Sequence, residues 1–566
     1  MPRSLVDARY IDQLADLLEQ SVDVGLTADQ FRARLLHAFP LDATKDAAEV
    51  DVALRLYEQL RDLDRQGING IWERIIKNAF APLFQGRFEY VAGKPPWVNW
   101  ESLPDEYRQE TAPLWAAHEL FPHKGFDAIL GKAKDDISIL MTYVALDKYV
   151  RDGGRLGFLI TQSVFKTAGA GQGFRRFRLG DGTPLGVVHV DDMADLKPFE
   201  GASNRTSIVV LGRGRTTRYP VPYTQWRKKG GGAVIPEELS LEEVQEITVR
   251  RNFVAEPVDE TVPTSPWITG RPRAVKAVKM VLGASDYQAR AGVCTWLNSV
   301  YWLEIMGQRP DGLVVVSNLT EGSKRKVENV QTAIEPDLLY PLLRGRDVSR
   351  WQATPSVYIL ITHEPGMKLK AIPENEMAVR WPKTYAYLKH FEAELCSRSG
   401  YRRYFRETDP FYSIFNVGDY TFAPYKVVWR EQAAGLTVAV AELIETEIVV
   451  PDHKLMMVDF RQRDEAHYLC SALNSSPARL VVLSYGVTIQ MDTHVLENVC
   501  IPRYDPTNPT HRQLAALSQQ AHEATAAGDT ARVREIEAEI DGLTAELWGL
   551  TERELREIQE SLGELG

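Results

Sequence analysis

Cysteine is scarce here: Cys294, Cys396, Cys470 and Cys500 are the only four in 566 residues, and no two form a C-x-x-C pair. That scarcity argues against a disulfide framework and a structural zinc site, and for a reducing, cytoplasmic setting. No run of eighteen or more apolar residues occurs, so no segment is expected to span a membrane. The opening Met1-Pro-Arg-Ser-Leu-Val-Asp-Ala-Arg-Tyr10 carries charges where a secretory signal needs an apolar stretch. Repeats of fixed period and low-complexity tracts are also missing. So is any His/Cys cluster, so no metal is expected. His189, His453 and His494 stand alone and read as structural. With no Pro-Asp…Glu-x-Lys arrangement in strand context, nuclease chemistry is assigned to a partner, if to anything.

The composition that remains, 44% hydrophobic and 25% charged, is that of an ordinary globular protein. The length exceeds one hydrophobic core and implies two to four domains. A net charge of −11 looks unfavourable for binding nucleic acid, but it is unevenly spread. Residues 341–430 hold 14 Lys/Arg against 9 Asp/Glu, whereas residues 511–566 hold 5 against 12. A locally basic region attracts phosphate even within an acidic chain.

Periodicity divides the chain into four. Residues 1–82 read as a helical segment, with Leu14, Leu17, Leu18, then Phe31, Leu35, Leu36, then Leu56, Leu60, Leu63 at helical spacing. Over residues 83–265 short apolar runs alternate with helical stretches: Phe88–Gly93, Leu156–Thr161, Gly186–Val190 and Thr206–Leu211, with a helix around Ile137–Tyr149. That alternation predicts an open, mostly parallel α/β sheet. Residues 266–505 read as a mixed, aromatic-rich α/β domain. Residues 506–566 return to helix, with a seam of Val533, Ile536, Ile540 and Leu543 suited to packing on another element.

The most informative stretch is Phe88-Glu-Tyr-Val-Ala-Gly-Lys-Pro-Pro-Trp97. A strand ends, a glycine permits a turn, and two prolines stiffen the chain ahead of an aromatic ring. By itself this is a rigid turn. In context it resembles the catalytic motif, Asn/Asp-Pro-Pro-aromatic after a strand, of DNA methyltransferases acting on the exocyclic amine of adenine. Those enzymes swing the target base out of the duplex, stack it on the aromatic and read its Watson–Crick edge. The motif's first side chain and a nearby backbone carbonyl accept hydrogen bonds from the amine. The resemblance places Pro95 and Pro96 at the two prolines and Trp97 at the stacking aromatic. Lys94 departs from it, because an ammonium has donors and no acceptor. A naturally silenced site and an engineered substitution both fit.

The likeness extends over most of the chain and is strongest to the γ-class, type IIG-like fused restriction–modification methylases. Asn69-Gly-Ile-Trp72 and Lys77-Asn-Ala-Phe-Ala-Pro-Leu-Phe84 are similar to the segment before their catalytic loop. Asp135-Asp136-Ile-Ser and Gly153–Phe165 resemble the next helix and strand. Pro198-Phe199-Glu, followed by Asn204–Leu211, resembles the motif whose aromatic covers the other face of the flipped base, a role that falls to Phe199. Tyr287–Thr295, Tyr340–Arg350, Tyr425–Arg430, Pro451–Lys454 and the run from His467 to Pro502 resemble that group's target-recognition domain. A complete relative would begin with a strand feeding a glycine-rich turn that binds S-adenosylmethionine. None precedes Gly93, and Gly169–Gly173 and Gly212–Gly214 come too late. The fold class is therefore α/β with a partial Rossmann-like methyltransferase sheet. S-adenosylmethionine is expected only through a second protein subunit supplying the missing half.

Double-stranded DNA is the other expected partner. Arg344, Arg346, Arg350, Arg402, Arg403, Arg406, Lys426 and Arg430 are interleaved with aromatics and are the candidate contacts, for phosphates first and base edges second. Two functions remain in view: half of a split adenine methyltransferase in a restriction–modification or phage-defence system, and a catalytically silent DNA-reading subunit.

Overall fold

The computed structural model describes residues 5, 10–68, 75, 86–121, 135–167, 169–199, 204–321, 325, 327–366, 370–406, 408–433, 435–485, 491 and 493–565. Residues 69–72 and 77–84, likened above to the segment before the catalytic loop, are outside the described residues apart from their neighbour at 75. The chain forms two compact units, Met1–Ala92 with Val144–Leu156, and Gly93–Tyr143 with Gly157–Gly566.

In the first unit, helices α1 (Ile11–Asp23), α2 (Ala28–Ala38) and α3 (Ala47–Arg65) bury Leu14, Leu18, Phe31, Leu35 and Leu60 in a common core. Phe31 stacks on Tyr57 with ring centroids 4.2 Å apart. A Thr27–Gln30 capping box satisfies the first N–H groups of α2 and fixes where it starts. Strand β1 (Phe88–Gly93) runs beside the first half of β2 (Val150–Thr161), and Glu89 pairs with Arg151. β1 ends the strand order and is exposed along almost its whole length, Tyr90 at 74%. Among the described residues no strand pairs with its outer edge, and an unpaired edge is a template for another strand.

In the second unit the rest of β2 enters a sheet ordered β2-β4-β3-β5-β6-β7. Here β3 is Leu185–Asp192, β4 Thr206–Arg213, β5 Val221–Lys228, β6 Thr248–Pro257 and β7 Trp267–Gly270. β3 and β5 pair parallel, while β3–β4, β5–β6 and β6–β7 pair antiparallel. This corrects the mostly parallel expectation for these strands. The connection between β6 and β7, residues 258–266, contains no helix, and a parallel crossover between neighbours needs a long one.

Further along, a six-stranded sheet is built on Trp302–Gln308, Val314–Asn318 and Leu339–Leu343, and a four-stranded sheet is centred on Tyr425–Arg430 and Leu455–Phe460. The C-terminal helices Pro509–Ala526, Thr530–Leu547 and Glu552–Leu565 share one core with the four-stranded sheet. Ile536 and Ile540 are buried in it, with Val533 and Leu543 packed alongside, so the apolar seam finds its partner within the chain. The result is a mixed α/β fold with helical segments at both ends. Among the described residues no helix is long and apolar enough to cross a membrane.

Candidate functional site

The corner after β1 is held from two sides. The Trp97 indole N–H donates to the Leu159 carbonyl at 3.1 Å, tying the ring to the neighbouring strand. Just beyond, Trp100 N–H donates to Asp135 O and Ile137 N–H to Val98 O, each at 2.9 Å. Asp135 accepts a hydrogen bond from Gly171 N–H at 2.6 Å, and burial pushes its carboxyl up to about 6. Gly93 is there for contact rather than for a left-handed turn: a Cβ would lie 2.9 Å from the Phe158 ring.

Pro95 is buried, Pro96 exposed and Trp97 half-buried. The Trp97 ring meets Phe199 edge to face, centroids 5.7 Å apart at 69°. The exposed Lys94 carries its ammonium 4.4 Å from the Trp97 centroid and 5.1 Å from that of Phe199. Lys94, Trp97 and Phe199 are thus brought together, with the ammonium over both rings. Such a contact at an exposed site contributes about 0.5–1 kcal/mol.

Cofactor cradles need glycine backbone open to a ligand. In Gly169–Gly173 the backbone is instead packed on the chain itself, since a Cβ would lie 2.4 Å from Val164 O at Gly171 and 2.0 Å from Leu120 O at Gly173. These residues do not fit S-adenosylmethionine.

The candidate DNA contacts divide by burial. Arg346, Arg402, Arg403 and Arg406 are exposed. Arg344 is buried, its guanidinium on Asp347 at 3.0 Å and on Ser356. Arg350 donates to Asn474 O at 2.6 Å and pairs with Glu537 at 3.0 Å. Lys426 is buried, donates to Ala423 O at 2.6 Å and is pushed down to about 7 by that burial. Arg430 donates to Val348 O at 2.6 Å. Arg344, Arg350 and Lys426 are therefore occupied within the fold. Net basic composition does not separate solvated cations from internal ones. The three histidines each face a carboxylate: His189 with Asp191, His453 with Asp452 and His494 with Glu497. Among the described residues no His/Cys/Asp/Glu group is arranged to hold a metal ion.

Sequence reasoning missed a buried polar network beside β3. Asp192 accepts from Gln162 at 2.7 Å and from Tyr223, while Lys166 donates to Thr269 at 2.6 Å. Burial pushes the lysine down to about 7. Its members come from four distant segments, which no local pattern signals.

No family model matches the chain. In sequence it is similar to the Type II methyltransferase M.NspV of Nostoc sp., 29% identical over 147 residues that cover 26% of this chain and 29% of that protein. The match thus spans less than a third of the length of this curated relative. In structure the chain is similar to the Type IIL restriction-modification enzyme MmeI in complex with DNA, with a TM-score of 0.48 and 8% identity over 84% of this chain and 57% of that one. The Type ISP restriction-modification enzyme LlaGI, as a nuclease-deletion mutant in complex with a DNA substrate mimic, aligns with a TM-score of 0.37 and 10% identity over 92% of this chain and 44% of that one.

Proposed function

We propose that this chain is the DNA-recognition and catalytic-loop subunit of a split adenine-N6 DNA methyltransferase, working in restriction–modification or phage defence. The observation that carries the reading is the Pro95-Pro96-Trp97 corner at the end of β1, with the Trp97 and Phe199 rings 5.7 Å apart. Two aromatics beside a stiff turn suit an everted adenine: the Trp97 face stacks on the base with Phe199 at its edge, while backbone carbonyls of the turn accept hydrogen bonds from its amine. For a base to enter, the Lys94 ammonium has to leave the rings. The partial likeness to a Type II methyltransferase supports the reaction class.

S-adenosylmethionine supplies the methyl group in this reaction. Its cradle comes from outside these 566 residues, added along the open edge of β1, whose exposed Phe88 and Tyr90 would then be covered. This chain's own part is to read the duplex, extrude the base and orient its amine.

A second reading, a catalytically silent DNA-binding subunit, is favoured by one observation. Lys94 offers no acceptor and already lies over both rings. The split arrangement is tested by pull-down and size exclusion with the products of neighbouring genes. Co-elution that is lost when Tyr90→Lys is placed on the β1 edge supports it. A stable monomer that captures none of them refutes it.

A further inference from the structure

Away from the Trp97 corner, three aromatic rings come together at the surface. Trp296 and Tyr404 lie nearly parallel, 5.7 Å apart at 4°, and Phe415 lies 4.9 Å from Tyr404 and 5.6 Å from Trp296. Tyr404 is 51% exposed, and the other two rings are half-buried. Large rings in a core are hidden, and a stray surface tyrosine is not braced. This group is both exposed and braced.

The bracing is specific. Phe415 exchanges two backbone hydrogen bonds of 2.9 Å with Cys294. Trp296 adopts left-handed backbone at φ 54°, which a bulky residue holds only when its surroundings compel it. Part of that compulsion comes from Arg398, whose buried guanidinium donates to Thr295 O at 2.8 Å, Leu395 O at 2.8 Å and Phe411 O at 2.6 Å. The helix carrying Tyr404 approaches so closely that a Cβ on Gly400 would lie 2.0 Å from the Trp296 ring. Arg402, Arg403 and Arg406, close to Tyr404 in sequence, are exposed, and the Arg403 guanidinium lies 5.3 Å from the Tyr404 centroid.

We propose that Tyr404, backed by Trp296 and Phe415, is a stacking platform for an unpaired nucleobase of bound DNA, with the three arginines holding the flanking phosphates. Rigid exposed rings offer a face that any base can stack on, and a cationic surround matches the backbone charge. The inference rests on the DNA-binding reading above, and it adds a second base-binding place distinct from the Trp97 corner.

The test compares the affinity of the full chain for a fully paired duplex and for the same duplex with one extrahelical thymine, which the adenine-reading Trp97 corner would not take, at several salt concentrations. The wild type is expected to favour the bulged duplex about tenfold. Tyr404→Ala is expected to lose that preference while keeping its affinity and salt slope for paired DNA. Tyr404→Trp is expected to keep the preference. An unaltered preference in Tyr404→Ala overturns the platform. Absence of binding to either duplex by the wild type would instead refute the DNA reading itself, so the two failures are distinguishable.

Discussion

The Lys94 ammonium lies 4.4 Å from the centre of the Trp97 ring, three residues along a turn stiffened by two prolines. A side chain unable to accept a hydrogen bond thus covers the surface proposed to receive an adenine. The pairing is local and exposed, so replacing the lysine should barely disturb the fold. Lys94→Asn is expected to change unfolding free energy by no more than about 1 kcal/mol. Thermal or denaturant unfolding measures this, and a loss several times larger would make Lys94 a structural prop.

Trp97 has two attachments, its half-buried ring and the hydrogen bond to Leu159 O. Trp97→Phe should cost about 1 kcal/mol, chiefly for the lost hydrogen bond, and Trp97→Ala roughly 2–3 kcal/mol. Equal losses in the two variants, read by urea denaturation, would mean that the indole N–H contributes nothing.

The exposed and buried arginines should respond differently. Replacing Arg402 and Arg403 together with alanine is expected to lower the dependence of log K on log salt by about 1.8 if each contacts one phosphate of duplex DNA. Arg344→Ala should instead destabilise the fold by roughly 3 kcal/mol, because it leaves the Asp347 carboxylate without its buried partner. Salt titrations of binding and unfolding curves separate the two effects.

Lys426 was among the expected DNA contacts, and its burial predicts an opposite behaviour. Its folded-state value of about 7 lies below the usual 10.5, so the stability tied to the neutral amine is fully present above 10.5 and is lost progressively as pH falls from there to about 7. Lys426→Met removes that dependence. It should be more stable than wild type at pH 7 by roughly 2 kcal/mol, allowing for the hydrogen bond lost at Ala423 O, and should bind duplex unchanged. Stability that varies equally with pH in both proteins, or weaker DNA binding by the variant, would place the ammonium in solvent.

Much of the architecture was legible because it is written in local periodicity. Leu14, Leu18, Phe31 and Leu35 marked a helical core, and Ile536 and Ile540 marked a seam that does pack. The approach of Phe199 to Trp97 came from motif order, as nothing local to Phe199 signals it. Strand direction was misread because an apolar run shows that a strand exists and not which way its neighbour points. Arg344 and Lys426 were misread for a related reason, since a buried cation and a solvated one look alike in sequence. The grouping of Trp296, Tyr404 and Phe415 depends on long-range packing that composition does not encode.

On this reading the Pro95-Pro96-Trp97 corner is built to present an adenine amine. Its most direct test is transfer of tritiated methyl from S-adenosylmethionine to DNA by the Lys94→Asn chain, co-expressed with its genomic neighbours, with the modified base identified chemically. Methyl groups on adenine N6, abolished when Trp97→Ala is added, are the predicted result. No transfer by the restored chain and its neighbours, or transfer that survives the loss of Trp97, would contradict it.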